Sequence, residues 1–179
     1  MNRLSTSLRS DLVIVAGLVA LGVAARLLPH EPNFTPIAAA TLFAATVLRT
    51  RILAFAVPLI ALAISDIFLA SEMTGIRSVV YAMYMLPAVV AFMPERTRAL
   101  GMFVPAIIAY SLLFFVVTNF AVWAFSGMYP LTMAGLATCY AAGLPFLPQT
   151  VIGDLFWAAV LFGGAALIQL APRLARRSA

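Results

Sequence analysis

Six apolar runs dominate the chain, at roughly 11–28, 36–48, 52–70, 77–93, 101–125 and 151–171, each cut off by proline, glycine or charge. An apolar stretch of about 20 residues is what an α-helix needs to cross a hydrocarbon core about 30 Å thick. In lipid every backbone N–H and C=O has to be bonded internally, which favours helices for runs of this kind. The chain therefore reads as an all-α integral membrane protein, a single transmembrane domain over residues 1–179 with six transmembrane helices. A shorter apolar piece at about 131–146 is expected to form a half-buried loop helix between helices 5 and 6. Of 179 residues 64% are hydrophobic and 9% charged, and the mean hydropathy of +1.08 leaves no stretch for a soluble domain.

The basic residues give the topology. All eleven are arginine, against six acids. With a cytoplasmic N-terminus, Arg3, Arg9, Arg49, Arg51, Arg96, Arg98, Arg173, Arg176 and Arg177 fall inside and only Arg26 and Arg77 outside. That bias obeys the positive-inside rule and puts both termini in the cytoplasm, provided the segment near 131–146 does not cross. The arginine pairs then read as anchors at the lipid surface, with no nucleic-acid role. Residues up to Val23-Ala24-Ala25 share features with a cleaved signal peptide, but cleavage would leave the next arginine pairs on the wrong side. One cysteine excludes an intramolecular disulfide and a multi-cysteine metal site.

With this topology the polar residues gather at one level. His30, Glu31 and Asn33 lie in the first outer loop, and Asp66 about one turn below the outer end of helix 3. Tyr81 and Tyr84 open helix 4, and Asn119 and Trp123 close helix 5. Cys139, Tyr140, Gln149 and Asp154 belong to the last outer connection and the start of helix 6. The cytoplasmic halves are expected to be apolar until the arginines begin. An aspartate at a helix centre costs about 2.5–3.5 kcal/mol on the insertion scale, so these groups should turn inward, on each other or on water. A cavity with a polar floor, open to the outside, is the simplest arrangement.

The segment "RLLPHEPNFTPIAAATLF" sharpens that expectation. Thr35-Pro36 suits a helix start, a capping hydroxyl followed by proline at the first helical position. From Pro36 to Leu48 helix 2 would be roughly 20 Å long, about 10 Å short of the hydrocarbon core. Arg49 and Arg51 pin its inner end, so Pro29 to Thr35 would dip below the outer surface. Irregular backbone at that depth has to be buried in protein or line a wet cavity. The first outer loop is thus expected to be a wall or lid of the cavity.

Each of these residues also has a plainer reading. Asp154 would sit in the first turn of helix 6, where the helix dipole favours a carboxylate. Asp66 lies near a helix C-terminus, which disfavours an acid, so it needs a partner; Arg26 and Arg77 are the outer candidates for an ion pair. Phe115, Asn119 and Trp123 make an i, i+4, i+8 stripe that ordinary helix packing explains, although the amide still needs a hydrogen-bond partner. A lone His30 is most simply a solvated loop residue. Cys139 is most simply a small buried thiol, with a soft metal or the cobalt of a corrinoid as the alternative.

The stretches "RLLPHEPNFTPIAAATLF", "SDIFLA", "SLLFFVVTNFAVW", "MYPLTMAGLATCYAAGLPF" and "IGDLFWAAVLFG" together resemble a bacterial family of transport proteins with no assigned substrate, marked by the PNFTP motif. The resemblance runs from about Arg26 to Gly163. That family in turn is similar to the S-components of energy-coupling factor (ECF) transporters, six-helix subunits that capture a vitamin or related micronutrient from outside. The resemblance implies an inner-membrane protein whose first outer loop folds over the ligand. It also implies that small residues on helix 1 pack against a transmembrane coupling subunit carrying ATPases. Ala16, Ala20 and Ala24, repeating every four residues, give such a small-xxx-small face.

Motifs for chemistry are missing: there is no P-loop, no HExxH, and one His and one Cys make no nucleophile constellation. No catalytic residue, metal site or cofactor is expected. The leading expectation is a substrate-binding subunit for micronutrient uptake, its cavity lined by His30, Asn33, Asp66, Tyr81, Asn119, Trp123, Tyr140 and Asp154. The alternative is a structural or assembly protein whose polar layer binds helices together. A small intramembrane enzyme would need Asp66 and Asp154 to meet in one site.

Overall fold

The computed structural model describes residues 3–29, 31–69, 74–93 and 103–175. His30 lies outside them. Helix α1 covers Arg3–Leu27 and α2 Ile37–Val47; a 3₁₀ segment, Arg51–Phe55, runs into α3 (Ala56–Phe68). Helix α4 (Thr74–Met85) continues as a 3₁₀ segment, Leu86–Phe92, and is followed by α5 (Phe103–Phe125) and α6 (Met133–Gly143). A 3₁₀ turn, Leu144–Phe146, links α6 to α7 (Leu147–Ala175), and no strand occurs among the described residues. Among the described residues five stretches are long and apolar enough to cross a membrane: Leu8–Leu27, Arg51–Phe68, Gly75–Phe92, Val104–Phe125 and Met133–Ile168. The protein is an all-α, multi-pass membrane protein.

Helix α2 is the central post. Its eleven residues reach only about 16 Å, and Ile37 to Leu42, Ala44 and Ala45 are all buried. It touches α1, α3, α7 and the 3₁₀ continuation of α4. The core around it is built from small side chains: Ala40, Ala44 and Ala45 meet Val15, Leu18 and Val19 of α1, Ala54, Val57 and Ala61 around the start of α3, and Ala88 and Ala91 after α4. Small residues let backbones approach closely, which drives helix association where lipid is as apolar as leucine. Large apolar side chains such as Val13, Ile67, Ile152 and Ile168 stay exposed on the periphery, as a lipid-facing surface requires.

Prolines decide where α-helix gives way to 3₁₀. Pro87 has no N–H for the carbonyl of Met83. That carbonyl instead accepts from the Tyr110 hydroxyl at 3.2 Å, so the freed group is satisfied inside the protein. Pro36, not Thr35, occupies the N-cap of α2, and no side chain caps it. The Thr35 hydroxyl turns away and lies 3.4 Å from that of Tyr84.

Two features differ from the sequence reading. The expected loop helix is present as α6, but no irregular stretch follows it: the 3₁₀ turn at Pro145 leads straight into α7, which begins at Leu147. The lower half is not wholly apolar either, since Asp11 on α1 is 3% exposed. Its carboxylate accepts the Thr50 N–H at 2.8 Å and the Arg49 N–H at 3.4 Å. It thereby satisfies the turn that joins α2 to the 3₁₀ start of α3.

Candidate functional site

At the opposite end from Asp11, α1, α3 and α4 bring one acid between two arginines. Arg26 Nη1 lies 2.7 Å from Asp66 Oδ1, and Arg77 Nε 3.7 Å from Asp66 Oδ2. The Tyr81 hydroxyl donates to Oδ2 at 3.0 Å. Arg26 also donates to the buried Ser65 hydroxyl, which passes its own hydrogen to the Ala61 carbonyl at 2.7 Å. The carboxylate that a helix C-terminus disfavours is thus held by two guanidiniums and a phenol. Both arginines anticipated as partners contact it.

Beside this cluster lies a cavity of about 660 Å³. Its wall includes Arg26 at the end of α1, Asn33 and Thr35 from the first loop, Tyr84 on α4, and Phe114, Phe115, Thr118 and Asn119 on α5. Tyr129, Cys139, Gly143, Phe146 and Thr150 complete the far side. Of the residues expected from sequence, Asn33 and Asn119 line it. Asp66 and Tyr81 stand behind Arg26, while Trp123, Tyr140 and Asp154 are not among the lining residues.

The bent α6–α7 path makes the space. Asn119 sits against Gly143, and eight residues earlier on α5 Ser111 meets Asp154, eleven residues further along α7. About 12 Å of α5 therefore faces about 16 Å of the opposing path. Pro145 and Pro148 supply the break that absorbs the excess, and Gly143, Phe146 and Thr150 from this stretch line the cavity.

Hydrogen bonds to backbone carbonyls fasten α6 and the connection before it to α5. Trp123 Nε1 donates to Pro130 O at 2.9 Å, Tyr140 to Val116 O at 2.7 Å, and the Cys139 thiol to Asn119 O at 3.4 Å. The Asn119 amide donates to Phe115 O at 2.8 Å. Its carbonyl oxygen occupies the space a Cβ at position 143 would fill, so a larger residue there would have to displace the Asn119 amide. Thr118 and Thr150 likewise donate to their own helices, to Phe114 O and Phe146 O. Hydroxyls used this way give no periodic signal in sequence, which is why these two lining residues go unnoticed there.

The first loop is clasped to α7. Asn33 adopts a left-handed backbone, φ 63°, a conformation that Asn tolerates better than most residues. This turn aims Phe34 at α7, where its ring lies 5.4 Å from that of Phe156 and 6.2 Å from that of Trp157. Gly153 lets the loop in: a Cβ there would stand 3.1 Å from Phe34 Cα. Gln149, Gly153 and Trp157 follow at four-residue spacing on this helix. Gln149 Oε1 and Trp157 Nε1 are buried with no hydrogen-bond partner among the described residues.

Asp154 belongs to a different place. It is 6% exposed and accepts from Ser111 at 2.7 Å. A second cavity of about 80 Å³ opens beside it, lined by Ala38, Ala39 and Leu42 of α2 together with Tyr110. Asp66 and Asp154 are thus held by separate sets of partners. Among the described residues no three of His, Cys, Asp or Glu gather as a metal site.

Ala16, Ala20 and Ala24 are all exposed along α1. The model of one family, described as a family of unknown function (DUF6580), matches residues 6–175. No curated protein and no solved structure matches the chain.

Proposed function

We propose that this chain, which belongs to the DUF6580 family of unknown function, is the substrate-binding membrane subunit of a micronutrient uptake transporter. The observation that carries this reading is the cavity of about 660 Å³ whose wall includes the first loop. Its size falls within the roughly 300–1,000 Å³ typical of small-molecule sites, and aromatic walls with a few polar groups are what such sites use. The contact of Phe34 with α7 supports this reading, since it anchors the loop whose Asn33 and Thr35 line the space.

In this reading the Arg26 end faces outward from a bacterial inner membrane and both termini are cytoplasmic, in keeping with the arginine distribution. The ligand is a vitamin or a vitamin precursor. By its resemblance to ECF S-components the protein would dock a transmembrane coupling subunit with ATPases through Ala16, Ala20 and Ala24, which are exposed among the described residues. A second reading, a structural or assembly protein without ligand, is favoured by one observation: Asn119, Trp123 and Tyr140 spend donors on backbone carbonyls.

Native mass spectrometry of the gently purified protein, followed by thermal-shift ranking of vitamins and precursors, separates the two. A single stoichiometric ligand is expected. An empty spectrum with no shift across the panel would favour the structural reading.

A further inference from the structure

We infer that the larger cavity selects an anionic ligand, a small molecule bearing a carboxylate, seated on the free edge of the Arg26 guanidinium. The inference rests on the binding-subunit reading above and adds the chemical class of the substrate.

A guanidinium has five N–H groups in a fixed plane. In Arg26 both hydrogens of Nη1 are committed, one to Asp66 Oδ1 and one to Ser65 Oγ. The hydrogens on Nε and Nη2 have no hydrogen-bond or ion-pair partner among the described residues. Those two nitrogens form one edge of the plane, and parallel N–H groups along an edge match the two oxygens of a carboxylate. The edge is also held in place before any ligand arrives. Asp66 and Ser65 fix Nη1, while Tyr81 and Arg77 fix Asp66 from the other side. Binding an anion there costs little further ordering of the side chain.

Charge points the same way. Arg26 is the one charged residue among the described residues that line the cavity, and Asp66 is shared between two guanidiniums. The cluster therefore carries one net positive charge beside this space. A cationic ligand would meet this charge without a carboxylate of its own, since Glu31 in the loop is exposed and does not line the cavity. One bidentate edge and one unit of charge suit a monocarboxylate; a phosphate carries about 1.5–2 charges and would call for more donors. Phe114, Phe115 and Phe146 supply apolar wall for the rest of the molecule.

The test is affinity-selection mass spectrometry on the whole protein in nanodiscs. The probe is a defined mixture of nutrient carboxylates, their carboxamides and amine counterparts, with phosphatidylglycerol as the lipid control. The wild type should retain carboxylates over the matching carboxamides by about tenfold or more. A double variant, Arg26→Gln with Asp66→Asn, removes that ion pair as a neutral couple and leaves Arg77, whose side chain is 36% exposed, as the one charge of the cluster. It should lose that preference while its unliganded melting temperature stays near that of the wild type. Retention of carboxamides or amines in preference overturns the inference, as does a carboxylate preference that survives in the double variant. So does phosphatidylglycerol occupying the site undisplaced by any carboxylate. Retention of nothing from the mixture, lipid included, overturns the binding-subunit reading together with it.

Discussion

Ser111 donates its hydroxyl to Asp154 across 2.7 Å, joining α5 to α7 at a level where both residues are buried. The hydroxyl also lies 3.0 Å from Ile107 O, so Ser111→Ala removes a donor from a buried carboxyl group rather than a surface contact. A loss of about 1–3 kcal/mol is expected. Asp154→Asn, which keeps an acceptor for the same hydroxyl, should cost less. Thermal unfolding in detergent compares the two, and equal stability of Ser111→Ala and wild type would remove the tie.

Gly143→Ala should loosen the cavity wall. Its new Cβ would overlap the Asn119 amide, which itself is tied to Phe115 O. Overpacking of this kind costs about 1–3 kcal/mol. Because the clash is with one side chain, Asn119→Ala in the same molecule should recover part of the loss. A double-mutant cycle with no coupling between the two positions would contradict the contact.

Gly153→Ala acts on the first loop instead. The added methyl would press on Phe34 at 3.1–3.2 Å, displacing the loop without touching the helices that carry the core. Faster hydrogen exchange over residues 31–35 is expected, with ligand release accelerated and the melting temperature little changed. Unaltered exchange in that loop would show that Phe34 does not depend on the gap.

What the sequence conveys, and what it withholds, follows from the range over which each interaction acts. The short second helix was legible because proline and arginine mark its ends locally. The partners of Asp66 were legible because a charge in lipid needs a counter-charge at the same depth, and only Arg26 and Arg77 qualify. The α6–α7 path was not: the apolar runs leave a gap between about 146 and 151, whereas a 3₁₀ turn carries the chain through with a bend. The ties from Trp123 and Tyr140 were hidden because they end on backbone carbonyls, which look alike in any sequence. Asp11 escaped notice as one acid beside the arginines, although its partners are two amides nearly forty residues away.

Asp11→Ala should therefore destabilise the protein at the end remote from the cavity. It leaves the Arg49 and Thr50 amides without their acceptor, comparable to losing a helix cap, about 0.5–2 kcal/mol. Ligand affinity should stay within about twofold of wild type, because Asp11 lies at the other end of the bundle from the cavity. A loss of affinity matching the loss of stability would mean that the two ends are coupled.

The eleven residues of α2 have a consequence for how the chain sits in the bilayer. A segment this short cannot hold itself across the hydrocarbon, since a spanning helix takes about 20 residues. It also arrives before α3, which covers one of its sides. Its place in the bilayer therefore depends on the helices that surround it, α1, α3 and α7, rather than on its own length. Asp11, holding the amides just beyond α2, ties the end of this short segment to α1.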